Sequence, residues 1–173
     1  MTSIDVVGER PKLGISACLL GQKVRFDGGH KREPFLTELF GKFVEWIPIC
    51  PEVEVGMSVP RETVRLVGTL NHPRMIAEKS GKDWTEQMNR FAAKRGRDIA
   101  EKNLSGYVFK KNSPSCGMER VKVYNSKGMG ERQGRGLFAA AIMRQWPLLP
   151  VEEEGRLNDL KLRENFIERV FAY

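Results

Sequence analysis

The sequence predicts an α/β layered fold, Rossmann-like, with a mainly parallel sheet. Three observations carry this reading. Short apolar strands alternate with helical stretches. Each of the three cysteines comes after a strand. Glycine or proline borders every cysteine within a few residues. In open parallel sheets ligands gather beyond the carboxyl ends of the strands. Three thiols carried there by neighbouring strands would meet at one edge.

The first strand reads Leu13-Gly14-Ile15-Ser16-Ala17 and runs into Cys18, followed by a polar loop from Gly21 to Lys31. A short amphipathic helix is expected over Pro34–Phe43, with proline in its first turn. Val44–Ile49 is a second apolar strand ending at Cys50. Val64–Thr69 and Arg74–Ala77 read as short strands joined at Asn71-His72-Pro73. Asp83 suits the N-cap of a long helix to about Asn103, with Trp84, Met88, Phe91, Ala92 and Ile99 on one face. Tyr107-Val108-Phe109 is a strand, and the segment after it holds Cys116. Val121–Tyr124 is another strand. Asn125–Gly136, glycine-rich and charged, reads as a mobile loop. Leu137–Gln145 is helical, Pro147 and Pro150 break the chain, and Leu160–Tyr173 is a final helix. Residues 1–150 therefore read as the main domain. Residues 151–173 read as a linker, around Glu152-Glu153-Glu154-Gly155, and the start of a C-terminal helical domain that the chain does not complete.

A composition of 40% hydrophobic and 29% charged residues suits a soluble globular chain and argues against disorder. Met1–Lys12 is polar and lacks the apolar core of a signal peptide. The longest apolar run, Leu137–Met143, is too short to span a bilayer. A cytoplasmic location, no membrane partner, and a monomer or weak dimer are expected. The net charge of +7 favours polyanionic partners such as RNA.

Three cysteines are an odd number for a disulfide framework. They read either as buried inert thiols or as ligands. Thiolates are soft donors suited to iron–sulfur clusters, zinc or copper. The cysteines are too scattered for a CxxC zinc signature, and His30 and His72 are the only histidines for a fourth position. Three cysteines around a cubane leave one iron open, a Lewis acid for a substrate sulfur. Glu52 lies two residues after Cys50, within reach of general-base work. Ser113 and Ser115 compete for a proton-relay or orienting role before Cys116. Arg25 and Asp27, in the loop Val24-Arg25-Phe26-Asp27-Gly28-Gly29, read equally well as substrate-orienting groups or as a simple turn pair. Lys110 and Lys111 lead into the Cys116 segment, where they would hold a phosphate backbone.

Taken together, Gly14–Gly21, Val24–Gly29, Cys50-Pro51-Glu52-Val53, Gly106–Lys110 and Ser113-Pro114-Ser115-Cys116-Gly117 make the sequence resemble a bacterial family that includes the thiouracil desulfidases. The resemblance covers about residues 12–146. It implies a [4Fe-4S] cluster held by Cys18, Cys50 and Cys116. It implies non-redox, hydrolytic C–S cleavage, the fourth iron capturing the substrate sulfur. It also implies Glu52 as acid/base and Ser113 as relay. The tail from Leu157 is similar to the lead-in of longer members that convert 4-thiouridine in tRNA to uridine. The expected substrate is therefore thiolated tRNA, or the nucleoside or base. An RNA-binding module with a structural cluster, a redox or sulfur-carrier protein, and a zinc site are the other classes.

Overall fold

A computed structural model describes residues 8–173. Residues 1–7 of the polar N-terminal stretch lie outside the described residues. The strands are β1 (Lys12–Ser16), β2 (Glu45–Ile49), β3 (Val64–Gly68), β4 (Pro73–Ala77), β5 (Leu104–Phe109), β6 (Val121–Tyr124), β7 (Gly130–Gly134) and β8 (Val151–Glu153). The helices are α1 (Pro51–Glu54), α2 (Thr85–Glu101), α3 (Leu137–Gln145) and α4 (Leu160–Ala172). Two four-stranded sheets form, ordered β2-β1-β5-β8 and β4-β3-β6-β7.

The first sheet is parallel throughout. Its residues alternate between two cores, as the pleat requires. Leu13, Ile15 and Val108 face a core closed by Leu36, Phe40 and, from α4, Phe166 and Val170. Tyr107 and Phe109 face the other core, with Met88 and Ala92 of α2 and Phe138 and Ile142 of α3. Gly14 pairs with Tyr107, and a Cβ there would lie 2.3 Å from the tyrosine ring. Absence of a side chain lets the ring lie flat across β1.

The second sheet is mixed. Hairpins β3–β4 and β6–β7 are antiparallel, and β3 joins β6 in parallel. It packs Leu66, Met75, Val121 and Val123 into the core shared with α2 and α3. Among the described residues no helix is long and apolar enough to cross a membrane.

Four sequence expectations are revised. Pro34–Phe43 forms a π-helical turn (Phe35–Leu39) and a 3-10 turn (Phe40–Lys42), burying Leu36 and Phe40 without a regular α-helix. Within Asn125–Gly136, read as a mobile loop, Gly130–Gly134 is strand β7. Asp83 precedes α2 as expected, but Trp84 is the N-cap and Asp83 accepts from the Thr85 amide and hydroxyl.

The fourth revision concerns the tail. The stretch read as a linker is β8, hydrogen-bonded to β5, so the sheet runs past residue 150. Its three glutamates are buried with partners, one local and two remote in the chain. Glu152 binds Arg156, Glu153 accepts the Met118 and Glu119 amides, and Glu154 holds Lys110. Each burial of Phe166 and Val170 from α4 contributes roughly 1.5–3 kcal/mol.

Candidate active site

Four chain segments converge at the carboxyl edge of the first sheet. Cys18 follows β1 in a 3-10 turn (Ala17–Leu20) ended by Gly21 at φ 92°. The loop beyond folds back on that turn, with the Lys31 and Glu33 amides donating to the Cys18 and Leu19 carbonyls. Within it, Gly28 and Gly29 close a tight turn carrying Arg25 and Asp27. Cys50 follows β2 and opens α1, whose first residue is Pro51. Cys116 sits in a turn after β5.

That last turn is braced from several sides. Ser113 Oγ accepts from the Cys116 and Ser115 amides at 3.0 and 3.3 Å. The Leu137 and Ala139 amides, at the start of α3, bind the carbonyls of Pro114 and Ser115. Gly136 passes so close that a Cβ would lie 2.4 Å from the Ser115 carbonyl. Ser16, at the end of β1, accepts from the Lys110 amide at 3.0 Å.

All three cysteines line one cavity of about 370 Å³, with Glu52, Ser113, Ser115, Arg25, Lys110 and Lys111. Asp27 is the one site residue expected from sequence that is not in its wall. It stays in the loop, 3.5 Å from Arg25, and the Gly29 amide holds its carboxyl below the usual carboxylate range. Lys110 does line the cavity, but Glu154 compensates its charge at 2.5 Å. Lys111 is exposed, and its amide also donates to Glu154.

A directed chain of hydroxyls ends on Glu52. Ser115 Oγ donates to Glu52 Oε1 at 2.8 Å, leaving the Ser113 hydroxyl, 3.0 Å away, to donate to Ser115. Of the two serines that compete in the sequence, Ser115 touches the carboxylate and Ser113 lies one link further out. Arg61 binds the other oxygen, Oε2, through Nε and Nη2 at 3.0 and 2.6 Å. The sequence leaves Arg61 open between facing the pocket and being an ordinary surface arginine; its side chain is 7% exposed and lines the cavity. Glu154 reads there only as linker and Ser16 only as strand, because their partners are remote in the chain.

Burial dominates the acidity of the thiols. It pushes Cys18 up to about 11, opposed mainly by Lys110. It raises Cys50 and Cys116 as well, with Ser16 and Ser115 opposing the rise at Cys116. A cation bound there would supply the positive charge that makes thiolates tenable. Among the described residues no three Cys, His, Asp or Glu side chains converge on a point that could hold a single metal ion. Three soft donors spread around one cavity suit a polynuclear iron–sulfur centre better than a lone zinc ion.

The chain matches the model of the 2-thiouracil desulfurase family over residues 13–154. It is 32% identical over 151 residues to the uncharacterized protein YbbK of Bacillus subtilis (strain 168), covering 84% of this chain and 97% of that one. It is also similar to the solved structure of the [4Fe-4S]-dependent thiouracil desulfidase TudS. There the TM-score is 0.70 and the identity 30%, covering 90% of this chain and 99% of TudS.

Proposed function

Since the chain belongs to the 2-thiouracil desulfurase family, we propose that it is a [4Fe-4S]-dependent desulfidase that cleaves the C–S bond of a thiolated pyrimidine without redox change. The observation that carries this reading is the meeting of Cys18, Cys50 and Cys116 with Glu52 and the Ser113–Ser115 pair in one cavity. Cys18, Cys50 and Cys116 would hold the cluster. When bound by three thiolates, such a cluster leaves an open iron, a Lewis acid with affinity for thiocarbonyl sulfur.

The protein's own groups handle orientation and protons. Glu52 Oε1 takes a proton, from water or a ring nitrogen, directly or through the serine hydroxyls. A placed base of this kind is worth roughly 10²–10⁴ in rate. Arg25, in the cavity wall and 5.4 Å over the Phe26 ring, orients the substrate.

For the substrate we favour 4-thiouridine within tRNA over the nucleoside or the free base. A second cavity of about 400 Å³ shares Phe26, Glu52, Asn112 and Pro114 with the first and is lined by Arg65, Arg120, Lys122 and Arg132. Cations beside the reacting base suit a phosphate-bearing substrate. The test is anaerobic reconstitution with iron and sulfide, then side-by-side assays on thiolated tRNA, 4-thiouridine and thiouracil without added reductant. Sulfide release is expected. Glu52→Gln and Ser113→Ala should keep the cluster and lose at least about 10²-fold in kcat. A stoichiometric need for reductant would end the non-redox reading.

A further inference from the structure

Glu52 and Glu54 lie two residues apart in α1 and point to different places. Glu54 accepts the Cys50 amide at 3.3 Å and pairs with Arg95 of α2 at 3.5 Å. Glu52 faces the cavity. Its orientation is set from one side by Arg61, which occupies Oε2 with two donors and leaves Oε1 to Ser115. The remaining Arg61 nitrogen, Nη1, donates to the carbonyls of Val24 and Ser58 at 3.0 and 3.2 Å. Every guanidinium nitrogen is therefore used, and the charge is paired with Glu52 at 2.6 Å. Four of its five N–H donors are engaged, so although Arg61 lines the cavity it has at most one N–H left for an anionic substrate. Two donors in a fixed planar relation converging on one oxygen specify direction as well as charge, which the point charge of a lysine cannot do.

The loop that carries Arg61 does not need this side chain to stay in place. The Arg61 amide donates to the Phe26 carbonyl at 2.9 Å. Its neighbour Glu62 accepts the Lys79 and Ser80 amides, both at 2.8 Å. The three side-chain interactions of Arg61 instead join the Val24 loop, the Ser58 loop and Glu52 around the site.

We propose that Arg61 is a positioning residue: by saturating Oε2 of Glu52 it commits Oε1 to the Ser115–Ser113 hydroxyls, and so fixes the direction in which the proton moves. The proposal rests on Glu52 acting as the base.

Arg61→Ala, Arg61→Lys and Glu52→Gln test it, each compared with wild type for iron content, crystal structure in the metal-free form, and kinetics after anaerobic loading. In metal-free Arg61→Ala, Glu52 should turn away and its 2.8 Å contact with Ser115 should be lost. Iron content should stay at the wild-type level, kcat should fall on the order of 10²-fold, and KM should move less than about threefold. Arg61→Lys should recover only a minor part of kcat. A Glu52 that keeps its Ser115 contact in Arg61→Ala overturns the proposal. So does a raised KM with kcat unchanged, which would make Arg61 a substrate contact. Loss of iron in both Arg61 variants would make it a structural tie. A fully active Glu52→Gln beside an impaired Arg61→Ala would remove Glu52 as base, and with it this role of Arg61. A wild type that releases no sulfide removes the desulfidase reading, while the crystal structures still decide whether Arg61 aims Glu52.

Discussion

The two sheets treat charge in opposite ways. At the carboxyl edge of the parallel sheet every carboxylate has a dedicated partner: Glu52 with Arg61 and Ser115, Glu153 with two amides, Glu154 with Lys110 and an amide. On the outer face of the mixed sheet, Lys122 and Arg132 are exposed, and Arg65 meets Glu78 only at 3.9 Å while lying over the Tyr124 ring. The first region holds a fixed geometry away from water. The second leaves its cations exposed and loosely paired. Fixing atoms in place and leaving charge open to solvent call for these different constructions.

The largest effect separating the regions concerns metal. Cys18→Ala, Cys50→Ala or Cys116→Ala should each abolish stable iron and sulfide retention, read by metal analysis. Lys122→Ala and Arg132→Ala should retain the full complement. Iron lost from the surface variants would erase the distinction.

The next effect is on stability. Glu154→Ala leaves the half-buried Lys110 ammonium with only the Lys111 carbonyl and should cost about 3 kcal/mol in urea unfolding. Arg65→Ala, breaking a solvent-exposed pair, should cost about 0–1 kcal/mol. Similar values would show that the edge network is not held together as tightly as its geometry suggests. Gly136→Ala should cost about 1–3 kcal/mol, because its Cβ would meet the backbone of Ser115 and Cys116.

The smallest effect lies far from the site, where Asp83 bonds Thr85 and Arg74. Those bonds hold its carboxyl at about 2, the Thr85 hydroxyl foremost. A folded-state value below that of the unfolded chain means stabilisation that is full above about pH 4 and lost as pH falls towards 2. Asp83→Asn should cost about 0.5 kcal/mol at pH 7, given its exposure, and the gap to wild type should close near pH 2.

How much could be read in advance followed from how local each cause is. Cys18, Cys50 and Cys116 were legible because strand pattern and bordering glycine or proline sit beside each of them. Glu52 was legible through its nearness to Cys50. The helices α2 and α4 announce themselves by apolar periodicity, and α3 by a run of small and apolar residues ended by Pro147. Strand β7 does not: Glu131-Arg132-Gln133 is an exposed edge with no apolar alternation, held by its pairing with β6. The run Glu152-Glu153-Glu154 looks solvated until Arg156, Met118, Glu119 and Lys110 are brought to it. For Arg61 the sequence leaves pocket and surface equally open, since its partner Glu52 is placed beside it only by the fold.

The position of β8 late in the chain has a temporal meaning as well. Synthesis runs from the N-terminus, so Cys18 and Cys50 are made early and Cys116 much later. Yet the turn bearing Cys116 is braced by Glu153 and the adjoining lysine by Glu154, which the ribosome adds later still. On a nascent chain the three cysteines therefore exist before the contacts that frame the last of them.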